Sequence, residues 1–244
     1  MSRESLLART FVQLADVLRD ELDIADLLTM LAERCVQILD VSAAGVVLAT
    51  ADGSLHAVAS SSEPMRGQEM FELQASEGPC VDCYRTRKPV LNQHLSTRDD
   101  LGCRSGRVTL DAGFHSVHAL PMHLRGDVIG ALNLFRRDRG DLHEADIVAG
   151  QALADAATIA VLQHRALIER RLVNSQLTRA LESRVVIEQA KGVLCERSGL
   201  TMEQAFDRMR HHARNNNLKL AAVAAGVVDG SVTCLTLAAR TPRA

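Results

Sequence analysis

Tryptophan is missing from this 244-residue chain, tyrosine occurs once, and aromatic residues make up only 2% of the total. That argues against any surface that recognises unpaired bases mainly by stacking them on aromatic rings, and leaves such work to polar and cationic groups. Long hydrophobic runs are also missing. None approaches the roughly 18 apolar residues that read as a membrane span, and Met1–Thr10 is interrupted by charges where a signal peptide has an unbroken apolar core. The expected setting is cytoplasmic, with no membrane partner. Six cysteines are too sparse for a disulfide scaffold and are by default thiols. Catalytic signatures are absent too: no phosphate-cradling glycine loop, no nucleophile elbow, no HExxH and no spaced carboxylate pair, so no enzyme activity is expected. Nor does the chain have the features of a phosphoacceptor receiver domain.

What is present is unevenly distributed. Residues 1–164 carry 15 Lys and Arg against 23 Asp and Glu, whereas residues 165–244 carry 13 against 7, so a net charge of −2 splits into about −8 and +6. The basic segment has the sign that phosphate binding requires, through displacement of counterions by Lys and Arg.

The C-terminal segment is also the most sharply patterned. Leu177, Leu181, Val185 and Ala190, with Val186, Ile187, Val193 and Leu194, follow helical spacing. Ser198-Gly199 offers a stop, because glycine enters the left-handed region without a Cβ clash. Thr201-Met202-Glu203-Gln204 matches a capping box. A second helix follows with an apolar face of Met202, Ala205, Phe206, Met209 and Ala213, running out at Asn215-Asn216-Asn217. A third, shorter helix follows on Leu218, Leu220, Val223, Ala224 and Val227, closed by Asp229-Gly230. Three helices of this size can share one small core.

This segment, with SRVVIEQAKGVL at Ser183–Leu194, the Gly199 break, and Ala205-Phe206 followed by Arg210 and Arg214, resembles the ANTAR domain over about Leu177–Val228. The resemblance implies a three-helical module that binds RNA stem-loops in leader transcripts, usually as a dimer, to favour antitermination. Candidate RNA-contacting residues are Arg184, Gln189, Lys191, Arg210 and Arg214, with Ala190, Gly192, Ala205 and Phe206 shaping the helix–helix surface. The alternatives stay open: the charges could be a solvated face, with Glu188 between Arg184 and Lys191, and Phe206 suits a core position as well as a contact.

Upstream, two amphipathic helices come first, on Leu6, Leu7, Phe11, Leu14 and Leu18 and then on Ile24, Leu27, Leu28, Leu31, Cys35, Ile38 and Leu39. A strand at Ala43–Thr50 turns through Asp52-Gly53 into Ser54–Ser60. A short helix is expected around Gln68–Gln74, another from Pro79 to near Arg87, a strand from Pro89 to about Gln93, and a further helix over Ser105–Asp111. Gly113–Leu124 and Asp127–Arg136 form a last hairpin, with Ser116, His118 and Asn133 interrupting its apolar residues. The fold class is α+β with an antiparallel sheet, followed by a small all-α module. This order, with EGPCVDCYRTRKPV and ALPMHLRGDVIGALNLFRRD, is similar to the GAF domain over about residues 3–165. That family commonly binds a small molecule between its sheet and insert helices, or dimerises. The expected domains are 1–165 (sensory), 166–230 (RNA-binding, with a helical connector) and 231–244 (a tail).

Cys80 and Cys83 are the only pair at redox or metal spacing. A helix start at Pro79 would favour a Cys80 thiolate that Cys83 could resolve, while two buried thiols are the plainer reading. Zinc lacks a second closely spaced pair, although folding could bring His94 and Cys103 near, and none of the nine histidines stands out as a haem ligand. No metal or cofactor is expected. Gln151–Lys191 contains neither glycine nor proline, so a helix can run from one domain into the other, without a strict heptad but with room for a homodimer contact. Together these readings describe a signal-responsive antiterminator; the alternatives are a thiol or small-molecule sensor acting through protein contacts, and C-terminal helices that serve only protein interaction.

Overall fold

The structure is a computed structural model that describes residues 2–16, 23–62, 78–95 and 109–233. The expected helix at Gln68–Gln74 lies outside them, as does most of the one at Ser105–Asp111, of which 109–111 is helical. The chain divides into two compact units, Met1–Leu167 and Ile168–Ala244.

The first unit is built on a five-stranded antiparallel sheet: β1 (Ala43–Ala49), β2 (Leu55–Ser60), β3 (Val90–His94), β4 (Ser116–Leu124) and β5 (Asp127–Arg136), in the order β2-β1-β5-β4-β3. Local chemistry sets the turns. Asp52 accepts the Ser54 backbone N–H, which shapes the first hairpin, and Arg125 and Gly126 both have positive φ (51° and 94°), as a tight two-residue hairpin turn requires. β4 starts at Ser116, three residues later than its apolar pattern predicts. Gly130 sits where β5 passes closest to β1: a Cβ there would lie 2.0 Å from the Val47 carbonyl oxygen.

Both faces of the sheet are covered, which is why its central strands read as nearly continuous apolar runs. On one face Ala44, Val46, Leu48, Leu120, Met122, Leu132 and Leu134 pack with helices α1 (Arg3–Ala15) and α2 (Ile24–Ile38) and with the start of α4 (Glu144–Ser198). Asp23 caps α2 by accepting the Ala25 N–H at 2.8 Å. On the other face Val47, Ala119 and Ala131 meet Cys80, Val81 and Cys83 of the short helix α3 (Pro79–Thr86), and Val117 and Phe135 meet Leu95 and Phe114.

Helix α4 is unbroken over 55 residues: the glycine- and proline-free run Gln151–Lys191 is helical as expected, the helix continues through Gly150 and Gly192 at its two ends, and the boundary between the units falls inside it. It is the one helix among the described residues whose length and composition would let it cross a membrane, with a window of mean hydropathy 1.4. Its apolar residues have a nearer partner: Leu153, Ala154, Ala157, Ala160 and Val161 are buried in the first unit's core, and buried Asp146 pairs with Arg3.

Candidate nucleic-acid interface

The second unit is a small three-helix core. Its members are the end of α4, α5 (Met202–Asn215) and α6 (Leu220–Asp229), with Ala190, Leu194, Ala205, Met209, Ala213, Val223, Ala224 and Val227 buried together. The turn from α4 into α5 is defined locally. Gly199 adopts φ 63°, and the capping box forms in full: the Gln204 N–H donates to Thr201 Oγ1, and Gln204 Oε1 accepts the Thr201 N–H at 3.0 Å. Asn217, at φ 52°, turns the chain from α5 towards α6, which Gly230 closes at φ 86°.

One expectation needs correcting. Leu177, Leu181 and Val185, read from their spacing as the apolar face of the first helix, are 55–65% exposed. Helices α5 and α6 pack against the last turns of α4, where Ala190 and Leu194 are buried and Val186, Ile187 and Val193 half-buried, and they do not reach further back. On α5, Met202 is likewise exposed, its sulfur contacting the Cys195 thiol at 3.6 Å.

The sequence-selected residues separate into three groups. Ala190 and Ala205 are fully buried and touch no solvent, so their effect on a ligand is confined to the shape of the core. Phe206 is half-buried and stands outside the set of residues packed on that core, and Gly192 is half-buried with open space where a Cβ would point. Arg184, Gln189, Arg210 and Arg214 are exposed, while Lys191 holds Glu188 at 2.8 Å in an i,i+3 ion pair that neutralises it in part.

Arg214 lies on the side away from the buried stripe of Ala205, Met209 and Ala213 and Arg210 flanks that stripe, about 100° round the helix from Met209, as a 3.6-residue turn dictates. They do not stand alone. With Asp207, Arg208 and His211 they line an open groove of about 430 Å³ on the outer face of α5. Arg208 and His211 are absent from the sequence-derived set, although His211 is three residues from each of Arg208 and Arg214, the spacing of neighbours on a helix surface. Three guanidiniums line this concavity beside the Asp207 carboxylate, and each carries planar N–H donors of the kind suited to phosphate oxygens.

Family profiles match this unit and the one before it: the ANTAR domain at residues 175–228, and the GAF domain at residues 21–162, more than half of the chain. The chain belongs to the GAF domain family and carries an ANTAR domain. GAF domains are signal sensors and ANTAR domains RNA-binding antiterminator modules, so the protein has the build of a sensor-regulator. Solved structures agree on the fold of the GAF domain. The GAF domain of an Acinetobacter phosphoenolpyruvate-protein phosphotransferase superposes with TM-score 0.52 at 16% identity, covering 68% of this chain and 97% of its own. A free methionine-R-sulfoxide reductase from Neisseria meningitidis, solved with its substrate, gives TM-score 0.51 at 16% identity, covering 68% of this chain and 91% of its own. No curated protein matches the chain.

Within the GAF domain Cys80 and Cys83 are buried, at 1% and 0% exposure, and form no disulfide. Helix α3 does start at Pro79, placing Cys80 in its first turn, but desolvation against the sheet pushes the Cys83 thiol up to about 12. That is the reverse of what a resolving cysteine needs. Among the described residues no three His, Cys, Asp or Glu side chains gather as a metal set. Cys103 and the side chain of His94 lie outside the described residues. A cleft of about 340 Å³ opens on the other face, lined by Thr29 of α2 and by Ala57–Ser62 at the end of β2.

Proposed function

We propose that the ANTAR domain grips RNA stem-loops through the outer face of α5, and that the protein acts as a signal-responsive regulator of transcription termination, with leader-transcript hairpins as its targets. The carrying observation is the groove in which Arg208, Arg210 and Arg214 line one concavity outside the buried stripe of the same helix. The charge split along the chain supports the same division of labour: residues 1–165 sense, residues 166–230 connect and bind RNA, and residues 231–244 form a tail. A small molecule held by the GAF domain supplies the signal, and a homodimer presents two RNA-binding modules. Arg184, Gln189 and Lys191 on α4 extend the contact, Lys191 exchanging Glu188 for phosphate.

The test is the double substitution Arg210→Ala/Arg214→Ala, titrated with a labelled RNA hairpin across a salt series. Each lost phosphate contact lowers the slope of log K against log salt by roughly 0.7 to 0.9. The pair should therefore flatten the slope by roughly 1.4 to 1.8 and weaken binding, with the helical signal unchanged because both side chains are exposed. Equal affinity and equal slope for variant and parent would refute the assignment.

A further inference from the structure

His211 lies between Arg208 and Arg214 along the groove, three residues from each, so the three side chains form one row with a rise of about 4.5 Å per step. Its Nε2 is 2.8 Å from the Asn215 side-chain nitrogen, one turn on, which holds the imidazole in a fixed orientation. In the neutral ring Nε2 accepts from that amide and Nδ1 carries the proton. In the protonated ring both nitrogens donate, and a half-turn of the Asn215 amide presents its oxygen to Nε2 without moving the ring. Either state leaves Nδ1–H for a ligand, but only the second adds charge.

We infer that His211 is a further RNA contact in this groove and that RNA binding takes up a proton there, the charged ring donating to a backbone phosphate between the two arginines. The inference rests on the RNA-binding reading above. In the free protein the ring shares the groove with Arg208, Arg210, Arg214 and Asp207. A bound RNA strand neutralises the arginines and places phosphate beside the ring, so the balance shifts towards the charged form. Histidine is the side chain whose charge changes between about pH 5 and 8, so the coupling falls in an accessible range. Other polar and titratable groups lie on the elements around α5. On α4 these are Glu188, Lys191, Cys195, Glu196 and Arg197; Glu203 lies in the first turn of α5, His212 is half-buried beside the site, and Lys219 and Asp229 mark the ends of α6. None of these lines the groove among the described residues.

The experiment uses the full chain and a fluorescein-labelled synthetic RNA stem-loop, titrated over a salt series at about pH 6 and about pH 8. Phosphate contacts are independent of sequence, so low ionic strength suffices to detect them. The parent protein should bind more tightly at the lower pH, with a log–log salt slope steeper by roughly 0.7 to 0.9, the increment of one added cation. His211→Gln, which keeps a donor but cannot charge, should bind with the same slope at both pH values. His211→Lys, charged throughout, should restore the steeper slope at both. If the parent binds RNA and its slope does not change with pH, or if His211→Gln retains the change, the inference is overturned while the RNA reading stands. If the parent binds no RNA at either pH, both fall.

Discussion

The buried thiols of the GAF domain permit a quantitative test of whether this protein senses by cysteine chemistry. Burial raises Cys83 from an ordinary value of 9.0 to about 12, and Cys35 by the same amount for the same reason. At about pH 8 an ordinary thiol is roughly a tenth ionised, and one near 12 about one part in ten thousand, a deficit of roughly a thousandfold in the reactive thiolate. Neither sulfur is exposed, at 0% for both residues, so local opening must precede any reaction and slow it further. Timed alkylation with iodoacetamide, read peptide by peptide in a mass spectrometer, should label half-buried Cys195 far faster than buried Cys83. The same shift makes the fold alkali-sensitive. Each buried thiol keeps its proton in the native state up to about pH 12, while the unfolded chain ionises from about pH 9. The stabilisation is whole below about pH 9 and is lost on the way to about pH 12, by about a factor of ten in the folding equilibrium per pH unit for each thiol. Rapid labelling of Cys83, or a Cys80–Cys83 disulfide formed by mild peroxide in the native protein, would refute the reasoning and revive a redox role.

Two further substitutions probe the scaffold. Thr201→Ala removes the side-chain half of the capping box and should cost the ANTAR domain about 1 kcal/mol, read as an earlier thermal transition of its helical signal with the GAF transition unmoved. Gly130→Ala drives a methyl group into the Val47 carbonyl, 2.0 Å from its oxygen, so β1 and β5 must separate; soluble yield and urea midpoint should both fall, and a parent-like midpoint would show that the strands can shift apart freely.

Much of this architecture can be read from short stretches of chain, since the forces behind them act over a few residues. Thr201 and Gln204 find each other because they lie three apart at a helix start, and Gly199 after α4 and Gly126 in the β4–β5 turn take the left-handed conformation without a Cβ clash. The run from Gln151 to Lys191 remains helical because nothing in it interrupts the hydrogen-bond ladder. Other properties depend on what distant segments bring. Spacing assigns Leu177, Leu181 and Ala190 to one apolar pattern, but only the stretch under α5 and α6 is covered, so Ala190 is buried and the two leucines are not. The helix start at Pro79 suggests a Cys80 thiolate with Cys83 as its resolving partner, yet the sheet packed over α3 removes water from Cys83, and desolvation raises that partner's thiol. The grouping of Arg208 and His211 with Arg210 and Arg214 belongs to this second kind. Periodicity alone places them on a helix surface, and it takes the burial of Ala205, Met209 and Ala213 to turn that surface outward as a single cationic groove.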